Sequence, residues 1–213
     1  MARLDAGPGA VRTCAALLST EERRRAARFA YERDRQRFIV ARARLRELLA
    51  ARLAVEPESV EFAYGARGKP ALARRFAHAD LRFNVSHSGD VAAYAFLRGR
   101  EIGIDIERVR EIHDGDDIAA HFFSRREYET YLALDHRDKP AGFFNCWTRK
   151  EAFVKALGDG VHHPLDSFEV TLAPGEPARI LRVGPAPGDA CGWLLRSFIP
   201  VPGFIGAVVA QEP

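Results

Sequence analysis

The middle of the chain constrains its fold most: LRFNVSHSGDVAAYAFLRG at residues 81–99 is followed directly by IGIDIE at 102–107. Both stretches are rich in β-branched and aromatic residues and are punctuated by glycine, so they read as three strands. The first two are joined by a tight turn around Ser88-Gly89-Asp90 and are therefore antiparallel neighbours. A sheet of this kind needs other elements to cover it.

Helical patterns stand on both sides. From residue 19, STEERRRAARFAYERDRQRF opens with an N-cap residue and glutamates, and Phe38, Leu45, Leu48, Leu49 and Leu53 recur near helical spacing. They predict two basic helices, or one bent one, over about 20–53. Further on, Ser124-Arg125-Arg126-Glu127 is a capping-box pattern, and 140–157 reads as a longer helix with Phe143, Trp147, Val154 and Leu157 on one face, closed by Gly158 and Gly160. Residues 60–64 predict a short strand, GARGKP at 65–70 a loop, and 168–172, 179–183, 193–199 and 204–210 four more strands. Each half places helices before strands and ends on a small-residue apolar strand, AAYAF in one and GAVVA in the other, which hints at a duplication about Gly99.

Composition narrows the function classes. No run approaches the roughly 18 apolar residues of a membrane span, and MARLDAGPGAVRTC lacks the apolar core of a secretory signal, so the expected address is the cytoplasm. Cys14, Cys146 and Cys191 form no ligand pattern and are expected to be reduced, buried apolar residues. Residues 21–52 hold eleven arginines against five acids, a local cationic surface that calls for an anionic partner. Only four lysines, Lys69, Lys139, Lys150 and Lys155, occur beside 28 arginines, and two of them lie within a turn and a half of one predicted helix.

Three clusters carry chemistry. In IGIDIE, Asp105 and Glu107 share one face of a strand while Ile104 and Ile106 take the other. Two carboxylates about 4 Å apart repel by about 4 kcal/mol at an effective dielectric of 20, and a magnesium ion between them reverses the sign. The same alternation also fits an edge strand with a wet acidic face. In WTRKEAFVKALG, Glu151 and Lys155 are four apart on one helical face, a spacing shared by ordinary surface pairs; the apolar residues around them and the scarcity of lysine favour a site. In FNVSHSGD, hydroxyls, an imidazole and backbone N–H groups gather at a strand end able to hold a phosphate. The Ser/His pair lacks a GxSxG elbow, which argues against a hydrolase.

FNVSHS, IGIDIE, FFSRREY and WTRKEAFVKALGDG, in that order and at these separations, resemble the 4'-phosphopantetheinyl transferase family, particularly its pseudo-dimeric surfactin-synthetase type. The resemblance spans about residues 19–170. It implies an α/β (α+β) fold of two similar halves, 1–99 and 100–213, related by pseudo-twofold symmetry, each with helices packed on a mainly antiparallel sheet. It implies a monomeric enzyme that uses magnesium to move the phosphopantetheine arm of coenzyme A onto a serine of an apo acyl, polyketide or peptidyl carrier protein. It assigns the metal to Asp105, Glu107 and Glu151, coenzyme A to Arg37, Lys69, Ser86, His87 and Lys155, and catalysis to Glu151 and Lys155. Glu127, within FFSxxEY, is explained fully by its capping box. Where the resemblance expects two lysines three apart, the chain offers Glu22 and Arg25, leaving the coenzyme A contacts of residues 20–30 open. Phe122, Phe123 and Tyr128 are candidate carrier-docking residues, with at least one phenylalanine expected in the core.

Two other readings remain: a different magnesium-dependent nucleotide-phosphate transferase, and a nucleic-acid-binding module on the arginine-rich segment. The second has interleaved aromatics, Phe29, Tyr31 and Phe38, but no groove-reading or RNA motif, so no nucleic acid and no membrane partner are expected.

Overall fold

The computed structural model of the protein describes residues 1–65, 68–158, 163–184 and 192–213. The first half runs β1 (Ala2–Arg3), α1 (Pro8–Ala16), α2 (Thr20–Ala26), α3 (Glu32–Leu53), β2 (Phe62–Tyr64), β3 (Pro70–Leu72), β4 (Leu81–Ser88) and β5 (Val91–Arg98). The second runs β6 (Ile102–Arg108), α4 (Gly115–Phe122), α5 (Arg125–Leu132), α6 (Lys139–Leu157), β7 (Phe168–Val170), β8 (Ile180–Val183), β9 (Trp193–Phe198) and β10 (Phe204–Gln211). Both read strand, three helices, small hairpin, larger hairpin. Their main sheets have matching strand orders, β1-β5-β4 and β6-β10-β9, and every strand pairing is antiparallel.

Alternation along the strands builds four layers. Leu81, Phe83 and Val85 of β4 turn to Leu45 and Leu49 of α3, while Ala92 and Tyr94 of β5 pack with Ile39, Val40 and the α1 region. The opposite face of β5, with Val91, Ala93 and Ala95, meets Ile102, Ile104 and Ile106 of β6 and Phe204 of β10 in a core between the two sheets. Beyond the second sheet lies the α6 core, where Phe153 and Phe168 are fully buried with ring centroids 4.9 Å apart. Burying each such ring contributes about 1.5–3 kcal/mol.

Between the sheets, β4 and β6 are joined by side chains. Asn84 Oδ1, Ser86 Oγ and Ser88 Oγ, three alternate positions of β4, accept the N–H groups of Ile104 (2.9 Å), Ile106 (3.3 Å) and Arg108 (3.1 Å), three alternate positions of β6. The other edge of β6 pairs with β10, so these polar side chains satisfy donors that the sheet leaves over.

Each half also holds a buried ionic clamp. In the first, Ser19 and Glu22 form a capping box at the start of α2, and Glu22 Oε2 accepts from Arg46 Nε at 2.7 Å. Arg46 then donates through Nη1 to the carbonyls of Pro57 (2.8 Å) and Val60 (2.9 Å), on the short 3-10 turn after α3. In the second, Ser124 and Glu127 cap α5, Lys150 Nζ lies 2.7 Å from Glu127 Oε2, and the same ammonium donates to Leu165 O (2.6 Å) and Phe168 O (2.7 Å), on the 3-10 turn after α6.

The expected elements are present with shifted ends, and some were not legible. The basic segment is two helices, the first capped by Ser19. The strand expected at 60–64 keeps only Phe62–Tyr64, and the GARGKP loop ends in a strand, because Phe62 to Tyr64 pairs with Leu72 to Pro70. The helices α1 and α4 went unread; each is short, and glycine and aspartate interrupt their patterns. The one-faced helix expected at 140–157 is buried far more widely: Asn145, Thr148, Arg149 and Lys150 are buried too, each with hydrogen-bond partners. Cys14 and Cys146 are free and buried, as expected; Cys191 and Gly160 lie outside the described residues. Among the described residues, no helix is long and apolar enough to cross a membrane.

Candidate active site

The carboxylates are brought to α6 by a glycine. Gly103, Asp105 and Glu107 share one face of β6, and a Cβ built on Gly103 would lie 2.0 Å from Ala152 O and 2.4 Å from Ala156 N. Only glycine lets helix and strand approach this closely, and the approach carries Glu151 and Lys155, which flank Ala152 and Ala156, over Asp105 and Glu107.

These side chains line a cavity of about 320 Å³ with Val85, Ser86, His87 and Trp147. Asp105 is 3% exposed; its Oδ1 accepts from Lys155 Nζ at 2.6 Å and from Ser86 Oγ at 2.8 Å. Its Oδ2 is buried without a hydrogen-bond partner, an arrangement that normally costs about 1–3 kcal/mol. Ser88 Oγ donates to Glu107 Oε2 at 2.6 Å. Burial raises the Glu107 pKa above the usual carboxylate value, opposed by the Ser88 hydrogen bond and helped by Asp105. Burial likewise raises that of Glu151; Lys155 opposes the shift, and Asp105 and Glu107 reinforce it. Partial desolvation lowers the His87 pKa, and the Lys155 ammonium lowers it further. The cavity thus gathers three carboxylates, and among the described residues that line it Lys155 is the lysine set against them. Among the described residues no group of three His, Cys, Asp or Glu side chains already forms a metal-holding cluster, and the cation facing Asp105 is Lys155.

Asp105, Glu107, Glu151, Lys155, Ser86 and His87 therefore meet in one cavity, and two of the residues expected to bind coenzyme A do not line it. Lys69 Nζ donates to the carbonyl of Lys155 at 2.6 Å and lies 3.4 Å from Glu101, so it closes the C-terminal end of α6. Arg37 is held by Asp5 through two hydrogen bonds, 2.7 and 3.0 Å long. Glu22 is buried in its clamp, and with Glu21, Arg24, Arg25, Arg28, Phe29 and Tyr64 it also lines a separate cavity of about 840 Å³. Both oxygens of Glu127 are engaged, Oε1 by the Val170 N–H at 2.7 Å and Oε2 by Lys150 and the Ser124 N–H, which makes it structural. Phe123 is core, while Phe122 is 41% exposed and its ring meets Trp147 edge-on at 5.8 Å.

Sequence reasoning passed over Gly103, Trp147 and Ser88 as site residues. Trp147 packs against the core, as expected, and also forms a cavity wall, half-buried and stacked on Phe143 at 5.9 Å. For Ser88 there was a usable signal: Asn84, Ser86 and Ser88 alternate along β4 as Asp105 and Glu107 alternate along β6.

A strand-borne carboxylate pair faces a helical Glu/Lys pair beside a serine- and histidine-bearing strand end. Residues 101–195 match the model of the 4'-phosphopantetheinyl transferase superfamily, and residues 8–97 match that of the 4'-phosphopantetheinyl transferase N-terminal region. The chain is 42% identical to the 4'-phosphopantetheinyl transferase HetI of Nostoc sp., over 96% of this chain and 83% of the relative. It is 31% identical to the 4'-phosphopantetheinyl transferase Sfp of Bacillus subtilis, over 92% and 83% respectively. It is 30% identical to the human L-aminoadipate-semialdehyde dehydrogenase-phosphopantetheinyl transferase, over 74% and 53%. The chain belongs to the 4'-phosphopantetheinyl transferase family.

Proposed function

We propose that the cavity between β4, β6 and α6 transfers the 4'-phosphopantetheine arm of coenzyme A to a serine of an apo acyl, polyketide or peptidyl carrier protein. The observation that carries this reading is Asp105, buried with one oxygen bound by Lys155 and Ser86 and the other bare, in a cavity that also holds Glu107, Glu151 and His87. The donor set is all hard carboxylate oxygen, and the bare Oδ2 of Asp105 shares the cavity with Glu107 and Glu151, whose pKa values are raised chiefly by burial and further by the neighbouring carboxylates. It fits magnesium, which Asp105, Glu107 and Glu151 would hold. Such an ion neutralises charge on the coenzyme A pyrophosphate.

The chain's own residues do the rest. The carrier serine hydroxyl attacks the β-phosphorus of the pyrophosphate, its oxygen forms the new P–O bond, and the P–O bond to the α-phosphate breaks, releasing 3',5'-adenosine bisphosphate. Glu151, half-buried and with its pKa raised chiefly by burial, accepts the serine proton directly or through a bound water. Lys155 stabilises the leaving phosphate and can donate a proton to it, and Ser86 and His87 hold phosphate oxygens. General-base action contributes about 10² to 10⁴-fold, so positioning and charge stabilisation carry most of the rate. The cavity at Arg24, Arg25 and Arg28, which Glu21 and Glu22 also line, offers three guanidinium groups to the bisphosphate end of coenzyme A. Division at 99/100, a monomeric state and a cytoplasmic location complete the proposal; nucleic acid and membranes are not partners in it.

The test is to incubate the protein with coenzyme A, magnesium and a panel of apo carriers and to weigh the carriers. Gain of a phosphopantetheine mass supports the reading; an unmodified panel, or transfer of a nucleotide, sinks it. Asp105→Asn should slow transfer by roughly 10³-fold or more, about 4 kcal/mol of lost charge stabilisation. Metal-dependent transfer at the wild-type rate by that variant would refute the assignment.

A further inference from the structure

We propose that Ser88 is a positioning residue for Glu107: its hydroxyl, fixed by the Arg108 N–H, decides which carboxylate oxygen stays within the protein and which faces the cleft. The inference rests on the reading of Glu107 as a metal ligand. Ser88 Oγ accepts from Arg108 N at 3.1 Å and donates to Glu107 Oε2 at 2.6 Å. A hydroxyl has one hydrogen, and with the N–H as donor that hydrogen is committed to the carboxylate. Glu107 is thereby tied through Oε2, leaving Oε1 for the cavity it lines.

Ser86 makes the same two-way connection one step along: it accepts from Ile106 N and donates to Asp105 Oδ1. The third member, Asn84, accepts from Ile104 N at 2.9 Å, and no acid of the cavity is bonded to it. One strand of the N-terminal half thus contains two serines that join the β6 backbone to β6 carboxylates and one asparagine that joins the backbone alone. The aim of the acids is set by the sheet-to-sheet junction, so any loosening of that junction reaches the site through Ser88 and Ser86.

The experiment titrates full-length protein with Mn²⁺, with and without coenzyme A, and reads free Mn²⁺ by electron paramagnetic resonance. Glu107→Gln tests the underlying site: Mn²⁺ binding equal to wild type would remove the metal reading and this inference with it. Where Glu107→Gln weakens binding, Ser88→Ala should weaken it by about 10-fold, the lower end for lost outer hydrogen bonds to ligands, and Ser88→Thr should restore it to within about 3-fold. Wild-type affinity in Ser88→Ala, or no rescue by threonine, overturns the inference while leaving the metal site standing. Asn84→Ala should lower the melting temperature and leave Mn²⁺ affinity within about 2-fold; an equal loss of affinity there would show that a loosened interface alone explains the result. If Ser88→Ala does not fold, Ser88→Cys supplies the arm, since a thiol is a weak donor and acceptor: an affinity equal to wild type refutes the inference, and a fall supports it.

Discussion

In the N-terminal half, Arg46 of α3 joins the capping-box carboxylate of Glu22 to the carbonyls of Pro57 and Val60; in the C-terminal half, Lys150 of α6 joins Glu127 to Leu165 and Phe168. Counting on from the clamp cation, the next residue is a glutamate in both, Glu47 and Glu151. Glu47 is part-exposed and pairs with Arg44 at 2.6 Å, whereas Glu151 lines the cavity. Five residues beyond the clamp the first half has Ala51 and the second Lys155. The strands differ in the same way. Val91 pairs with Arg3 and Phe204 with Arg108, so the place that Glu107 takes on β6 is held on β1 by Ala2. The two halves share an element order and a strand order, and in the proposed function the chemistry depends on a few residues that only the second half carries.

Breaking the clamps has the largest expected effect. Arg46→Met and Lys150→Met each strand a buried carboxylate, and each should lower unfolding free energy by about 3–5 kcal/mol, read from urea midpoints. If one variant loses no more than a surface substitution does, about 0.5 kcal/mol, the two clamps are not equivalent. Under conditions where both remain folded, Lys150→Met should also slow transfer, because Glu151 follows it on the helix, whereas Arg46→Met should leave turnover largely intact.

Lys155→Arg sharpens what the added residues do. A surface pair is worth about 0.3–0.5 kcal/mol and would tolerate arginine. The ammonium between Asp105 and the cleft is compact, while guanidinium is planar and cannot readily give up a proton, so single-turnover transfer at saturating magnesium should slow by roughly 10²-fold. The melting temperature should scarcely move. Transfer at the wild-type rate would return Lys155 to the role of surface charge.

The smallest effect is a pH dependence. The folded-state pKa of Glu151 is raised above its ordinary value of 4.5, chiefly by burial, so the folded protein favours the protonated form. The stability linked to that proton is complete below the ordinary value and is lost as pH rises through the raised one. Without metal, Glu151→Gln should therefore melt higher relative to wild type at pH 8 than at pH 5. Glu47→Gln, at the matching helix position, is the control. A difference for Glu151→Gln that does not grow with pH would remove the account of Glu151 as a buried carboxylate with a raised pKa.

What the sequence determined by itself was local. Alternation gave the β4–β5 hairpin and the shared face of Asp105 and Glu107; the Ser-x-x-Glu spacing gave the cap of α5; the unusual economy of lysine singled out residues that prove to be engaged, with Lys150 on buried carbonyls and Lys155 on Asp105. These features depend on neighbours within one turn or one strand, where periodicity and hydrogen-bond reach are fixed by backbone geometry. The tertiary structure decided everything that needed two distant segments to meet. It set Lys69 on the end of α6 and Arg37 on Asp5, and neither residue lines the cavity. It made Gly103 the contact that lowers α6 onto β6, and it turned Ser88 from a turn residue into a link between the two sheets. Which carboxylate oxygen is bare and which is bound follows from contacts that span 19 to 50 residues of chain, and no spacing rule along one strand or one helix contains that information.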